Sequence, residues 1–544
     1  MTYDVQATVG VWGRPSHPVQ ISPAARAFLQ ARLGGPTPRP ARPLEEVALP
    51  QGRLHDRQIA ALSSLLGSGN VDSSRTARLR HAVGSSLTDY VHVRDAAVAG
   101  APDAVLLPGS HEEICALLAF CSQEGIAVVP FGGGTSVVGG VTPDPGRHTA
   151  VVAVAFDRMA EVLDIDEQSL TARVQPGVTG PTLERLLEAR GLHWGHLPQS
   201  WERATVGGYV ATRSAGQAST GYGRSDESVE AITVATPAGA LRLGRAPRSA
   251  AGPDLRQVFI GSEGALGIVT EVVLRVRRLP TVRTYEGVFF PDFRSGSAAF
   301  KALAQADLTA TVMRLSDEAE TEVTMTMSGP QGLAKTLLHR YLQARGVKGG
   351  GCLAILGWEG VSPKATAARR EAAWVALRRF GAVSLGSTVG EAWRRHRFEG
   401  PYLRDTLLDE GCIVETLETA TQWSRLHDLH DAVASQLRQA LATPGSEPII
   451  FCHVSHVYSA GASLYFTAVA PAAGDRAGQW AQAKRAAGDA IMAHGGTITH
   501  HHAVGTDHLP WLGEEIGPLG IEVLRAVKAA VDPAGILNPG KLIP

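Results

Sequence analysis

The segment Ile126-Ala127-Val128-Val129-Pro130-Phe131 runs straight into Gly132-Gly133-Gly134-Thr135-Ser136, and no other stretch restricts the fold as strongly. An apolar strand here ends in three glycines and two hydroxyl residues. Without Cβ atoms, successive glycine N–H groups can turn inward and form a concave cradle for an anion such as a pyrophosphate. Upstream, Ser110 is placed to cap a helix and Glu113 to complete a capping box. Ile114, Leu117, Leu118 and Cys121 then share one helical face. A glycine run alone reads equally well as a turn or linker. Helix, strand and glycine loop in that order point instead to a phosphate-bearing ligand.

At 544 residues the chain exceeds one ordinary core and predicts two or three domains. Its 51 basic and 52 acidic residues nearly cancel, leaving no global field to recruit nucleic acid. Cys115, Cys121, Cys352, Cys412 and Cys452 are scattered without a CxxC pair, which argues against a disulfide framework or a thiolate zinc site. The first twenty residues show no basic segment leading into an apolar one, so no secretion signal is expected. No run approaches the roughly 18 uninterrupted apolar residues of a membrane-spanning helix. A cytoplasmic location is the expectation.

Four regions are expected: a mixed N-terminal region 1–97, a first domain 98–281, a second domain 282–500, and a C-terminal segment 501–544 returning to the first. Pro36 to Pro43 should run extended. In the first domain, Ala150 to Val154 reads as a buried strand and Leu170 to Val174 as an alternating one. Thr182 to Arg190 has helical spacing, and Ile268 to Val276 alternates again. Beyond Pro280, helices at Lys364 to Phe380, Trp423 to Leu441 and Asp475 to His494 alternate with strand-like runs. Those runs are Thr309 to Leu315, Ile449 to Val457 and Ser463 to Ala470. The fold class is α+β, with helices covering an antiparallel sheet in the second domain. One more helix, Gly520 to Val531, ends at Asp532-Pro533-Ala534-Gly535.

Five segments in order resemble the vanillyl-alcohol oxidase-type FAD-binding superfamily: Pro130 to Ser136, Val174 to Val178, Ala204 to Gly208 continuing to Gly223, Gly261 to Thr270, and Asp532 to Lys541. The resemblance covers about residues 90–544. It implies a two-subdomain FAD-binding domain with a cap domain. The FAD pyrophosphate would lie on 132–136, its isoalloxazine ring against 204–208 and its adenine end beside 261–269. The cofactor-binding residues implied are Pro130, Gly132, Gly133, Gly134, Thr135, Ser136, Pro176, Gly177 and Pro198. Ala204, Thr205, Gly207, Gly208, Ser214, Gly221, Tyr222, Glu263, Gly264, Gly267 and Ile268 complete the lining, and His453 is a further contact. Some members tether FAD through a histidine in the pyrophosphate loop. Gly134 and Thr135 stand there in this chain, which implies FAD held without a covalent bond.

The superfamily hosts many chemistries, and the fold does not choose among them. Its FAD-linked 2-hydroxyacid dehydrogenases, acting on D-lactate or glycolate, carry GHxGDGNxH and GEHGxG patterns whose His and Glu hold a divalent metal. This chain has Cys452-His453-Val454-Ser455-His456 and Tyr465 in place of the first, and Thr499-His500-His501-His502-Ala503-Val504-Gly505 in place of the second. His501 replaces the carboxylate that a hard metal prefers, so no metal is expected. These stretches instead resemble the alkyldihydroxyacetonephosphate synthase family. It has a three-histidine run before a small residue and Val-Gly, and a Gly-Ala-x-x-Tyr-Phe strand. It also has an Ile-Arg-Leu-like strand, matched by Met313-Arg314-Leu315, and a Tyr-x-Arg-Asp segment, matched by Tyr402-Leu403-Arg404-Asp405. Glu415-Thr416-Leu417-Glu418-Thr419 and Trp423 fit as well. The eukaryotic members carry a peroxisomal targeting leader that is not seen here.

That resemblance implies exchange of the acyl chain of acyl-dihydroxyacetone phosphate for a fatty alcohol, with FAD acting covalently and no net redox change. Proton transfer falls to Tyr465 and His502, with His500 and His501 in support. On an extended strand His500 and His502 would share a side and His501 would not. Arg404 and Arg314 are the candidates for the substrate phosphate. The ordinary alternatives are ion pairs to Asp405 and Asp317, and solvent exposure or core hydrogen bonds for the histidines. A lipid substrate requires an apolar tunnel and allows peripheral membrane contact through an amphipathic stretch such as Leu54 to Leu66. The family commonly dimerises. The competing expectations are an FAD-linked 2-hydroxyacid dehydrogenase or oxidase and a flavin-binding protein without catalysis.

Overall fold

Three short apolar runs, Ala104–Leu106, Ile126–Phe131 and Ala150–Ala155, pair in parallel, with 150–155 in the centre and the antiparallel Val71–Asp72 on the edge beside 104–106. Strands buried on both faces carry continuous apolar sequence, which is why no alternation is seen in them. The computed structural model describes residues 9–13, 21–329, 332–347 and 350–544. The crossover helix His111–Glu124 starts where Ser110 accepts the Glu113 N–H at 3.1 Å and stops at left-handed Gly125. The expected capping box is displaced by one residue, because the Glu113 carboxylate takes the Gly109 N–H at 2.7 Å. A second sheet is antiparallel, ordered Val162–Asp166, Thr171–Val174, Ile268–Arg275, Val229–Thr236, Gly239–Leu243.

The cap carries a seven-stranded antiparallel sheet. Its order is Val383–Gly386, Val282–Phe290, Cys352–Gly360, Val312–Ser316, Ile449–Val457, Gly461–Pro471, Cys412–Gln422. The helices Phe293–Gln305, Pro363–Leu377, Leu426–Leu441 and Arg476–Ala493 contribute Phe300, Trp374, Leu437 and Trp480 to one core with Leu315, Cys452, Leu464 and Phe466 of the sheet. The strand period of two then directs Arg314, His453, Tyr465 and Glu418 to the opposite face. Register aligns them: His453 is the cross-strand partner of Tyr465, and Tyr465 of Glu418. Two separate FAD-domain-type sheets and an antiparallel cap sheet under helices are the α+β architecture that the resemblance implies.

Two expectations are corrected. The amphipathic stretch forms the helix Asp56–Leu66, but Leu62 and Leu66 are buried with Leu117 and Leu118 of the crossover helix. Its apolar face is spent on the core and is not available to a membrane. The last long helix begins earlier than expected, spanning Leu509–Val531 with a kink at Gly517 before Pro518.

Candidate active site

The strand Ile126–Phe131 delivers Gly132 to Gly134 into a crowded junction. A Cβ on Gly133 would lie 2.1 Å from the Arg203 carbonyl oxygen, and one on Gly132 would lie 2.5 Å from Thr205 Oγ1. The glycine loop therefore offers only backbone to this junction, against the Arg203 carbonyl and the Thr205 side chain. Beside this junction is a cleft lined by Pro130, Gly132, Ser136, Pro176, Gly207, Gly208, Glu263, Gly264, Gly267 and Ile268. Sequence reasoning missed Phe156, Ala211 and Gly140, which also line it, as does Val269 of the expected 261–269 segment. Glycine backbone at one part and the apolar walls of Phe156, Ile268 and Val269 at another fit a dinucleotide, with its anionic bridge and planar rings.

The other implied contacts lie around the cleft rather than on its walls. Gly133 and Ala204 form the junction, Gly134 accepts the Ser85 hydroxyl at 2.8 Å, and Thr205 caps the helix Val206–Thr212. Gly177 is packed on the Phe156 carbonyl, and Ser214 faces His196 at 3.1 Å. Thr135 and Pro198 also stand outside the lining. Gly221 and Tyr222 join the first domain to the cap: Gly221 abuts Thr311, and the Tyr222 hydroxyl donates to Glu359 at 2.6 Å. His453 sits on the cap sheet. Its Nδ1 is 3.1 Å from Glu320, its Nε2 is 2.8 Å from Arg314, and Arg314 also donates to Glu320 at 2.7 Å. Arg314 is thus paired with Glu320 and not with Asp317, which caps the helix Glu318–Ser328.

The histidine run is bent, so strand alternation does not apply to it. Its cause is Glu418, whose carboxylate accepts the N–H of His500, His501 and His502 at 2.8–3.0 Å and the Thr499 hydroxyl at 2.7 Å. Downstream, Glu263 of the cleft accepts the N–H of Val504 at 3.1 Å and Gly505 at 2.8 Å. The run is therefore clamped between a cap carboxylate and a cleft carboxylate. The Tyr465 ring lies 5.1 Å from His453, 6.0 Å from His501 and 5.6 Å from His502. Its hydroxyl donates to Thr416 at 3.0 Å. His500 turns away toward Tyr458, 2.7 Å from its hydroxyl, and toward His456.

Arg404 meets the edge strand of the cap, 3.6 Å from Glu415, donating to the Ser85 carbonyl and stacked over Tyr90. Asp405 does not pair with it, since Asp405 accepts the N–H groups of Trp12 and Gly13. The Arg404 Nε is buried with no partner among the described residues.

Burial pushes His500 and His502 down to about 3 and the Tyr465 hydroxyl up to about 12. At neutral pH the two imidazoles are uncharged and the phenol keeps its proton. Burial is the largest single influence on Glu418 and opposes its charge, but the proximity and hydrogen bond of His501, with His502 and His500 adding to them, together hold that carboxyl well below the ordinary range. His456, His500 and His501 each bring one ring nitrogen within 4.8 Å of the others. The Gly216 carbonyl, Ser463, Tyr458 and Glu418 already engage these rings, which makes the cluster a hydrogen-bond network.

Burial also pushes Glu263 up to about 7, against the pull of the Gly505 and Val504 N–H groups. The folded FAD-free protein then binds this proton more tightly than the unfolded chain. The resulting stability is full below the ordinary value of 4.5 and is lost as pH rises to about 7. A shift of that size is worth about 3 kcal/mol. Urea melts at pH 5 and pH 8 are expected to show this loss, and Glu263→Gln is expected to flatten it. An unchanged slope in the variant would refute the assignment.

The profile described as "FAD binding domain" matches residues 102–244, and that described as "FAD linked oxidases, C-terminal domain" matches residues 279–542. The alkyldihydroxyacetonephosphate synthase of Trypanosoma brucei brucei is 34% identical over 491 residues, covering 89% of this chain and 80% of that protein. The Dictyostelium discoideum protein of the same name is 32% identical over 540 residues, covering 96% and 88%. A solved alkyldihydroxyacetonephosphate synthase structure superposes with a TM-score of 0.85 at 29% identity, over 99% of both chains.

Proposed function

Because this chain belongs to the alkyldihydroxyacetonephosphate synthase family, we propose that it is an FAD-dependent transferase exchanging the acyl chain of acyl-dihydroxyacetone phosphate for a fatty alcohol. The observation that carries this reading is the clamp. Glu418 and Glu263 hold a three-histidine run between the cleft and Tyr465. FAD, held in the cleft without a covalent bond, supplies an electrophilic ring system, so the exchange needs no net redox change.

The chain's own residues bind, orient and move protons. Tyr465 keeps its proton and serves as donor, and the neutral imidazole of His502 beside it serves as acceptor, with the His501 ring next to both. Arg314 and Arg404 supply positive charge for the substrate phosphate. The orphaned Arg404 Nε supports the second of these. His453 spends both ring nitrogens on Arg314 and Glu320, which disfavours the metal-gripping role of the hydroxyacid dehydrogenases. No helix among the described residues is long and apolar enough to cross a membrane. Contact with a lipid surface is therefore read as peripheral, and a homodimer belongs to the same reading.

The FAD-loaded protein is expected to release free fatty acid from acyl-dihydroxyacetone phosphate when given a long-chain alcohol and no electron acceptor. Anaerobic bleaching of the flavin by D-lactate or glycolate, with no fatty acid released, would assign it to the dehydrogenases instead.

A further inference from the structure

A carboxylate can only accept hydrogen bonds, so any ring nitrogen facing one is best satisfied as N–H. His501 Nδ1 lies 3.4 Å from Glu418 Oε2 and 3.0 Å from His500 Nδ1. A proton on His501 Nδ1 suits both neighbours. It leaves His500 Nδ1 as the acceptor and frees His500 Nε2–H to donate to Tyr458 at 2.7 Å. The opposite tautomer would set a bare lone pair of His501 against the carboxylate. The adjacent ring is fixed by the same logic, since His456 Nε2 must donate to the Gly216 carbonyl at 3.0 Å.

We propose that Glu418 is a positioning residue: its carboxylate sets the bend of the histidine run and keeps the ring proton of His501 on Nδ1, so that Nε2 is the bare acceptor. This deepens the functional reading above and rests on it only for the link to turnover. The carboxylate is fully enclosed and comes from the strand Cys412–Gln422, so nothing within the run itself supplies this order. Orientation of a base by a buried acid is worth several powers of ten in other catalytic dyads.

The test is Glu418→Gln, alone and in a His501→Ala background. Oε1 takes the His501 and His502 N–H groups, so the glutamine oxygen keeps that place; its NH2 takes the Oε2 place toward His501, leaving the His500 N–H its 3.0 Å bond to Oε1 and not the 2.8 Å bond to Oε2. The ring proton is then driven to Nε2. FAD content and KM are expected to hold within about twofold while kcat for fatty-acid release falls about 100-fold, with no added loss in the His501→Ala background. A kcat within about threefold of the parent, or an equal further loss in that background, would overturn the proposal.

A readout without turnover separates this inference from the function. Diethyl pyrocarbonate acylates bare imidazole nitrogens, and peptide mass spectrometry locates the adduct. His501 labelling in the holoprotein is expected to slow at least about tenfold in Glu418→Gln, and equal rates would refute the proposal. If the parent releases no fatty acid but the labelling still differs, the function is wrong and the role of Glu418 stands. Should Glu418→Gln fail to fold, Glu418→Asp keeps the carboxylate and is expected to keep His501 labelling. Loss of that labelling in folded protein would overturn the proposal.

Discussion

Tyr465→Phe is expected to lower kcat for fatty-acid release by about 1,000-fold while leaving the flavin bound. The substitution removes one oxygen and keeps the ring against His453 and His502. The lost hydroxyl is the donor of the cluster, since burial holds its pKa near 12 and keeps it protonated across the working range. His502→Phe should be as severe, because it takes away the neutral imidazole 5.6 Å from that phenol. The check is fatty-acid release alongside visible flavin absorbance. A Tyr465→Phe enzyme retaining more than about a third of parental kcat would remove Tyr465 from the reacting groups. A pH profile adds detail: with His502 lowered to about 3, no inflection between pH 5 and 8 should belong to it.

Gly133→Ala is expected to cost the protein its flavin altogether. The added carbon would lie 2.1 Å from the Arg203 carbonyl oxygen, 2.7 Å from its carbon and 2.9 Å from Ala204 Cα. These are backbone atoms, so no side chain can swing aside, and the two loops must part. Overpacking of this kind costs about 1–3 kcal/mol, borne where the dinucleotide should sit. The expected product is colourless when purified and melts several degrees lower. Gly513→Ala is the control, since its Cβ meets nothing within 4 Å. A yellow Gly133→Ala protein with parental FAD content would show that the cradle is more yielding than its geometry implies.

Much of the first domain was legible because apolar residues declare themselves by period. The crossover helix and the strand Ile268–Arg275 follow from spacing, and the buried strand 150–155 from its unbroken apolar run. The strands Val282–Phe290 and Cys352–Gly360 do not, since their ends and interiors mix aromatic, glycine and acidic residues with no clean alternation. Tyr465 and the histidines could be named from the motifs that carry the family resemblance. Glu418 stood in a matched segment of the strand Cys412–Gln422, but its role could not be read there. Its partners are amides 82 to 84 positions away in the chain, and only the folded register shows them. The same holds for Arg314, whose nearest acid in sequence is Asp317 but whose partner in space is Glu320. Motif resemblance picks out the candidate groups, whereas their hydrogen-bond partners come from tertiary pairing.

The strand beside the glycine cradle is completed from very far along the polypeptide. Val128 exchanges backbone hydrogen bonds with Ile536 and Asn538, and the Asn538 amide donates to Gly140 and Glu263. During synthesis, residue 128 must therefore wait roughly 20–80 s for its neighbour at ordinary ribosomal speeds. Until then the Val128 backbone and the Gly140 and Glu263 carbonyls beside the cleft lack these partners. Flavin acquisition is consequently expected late on the ribosome's clock, once Ile536 and Asn538 have paired with Val128.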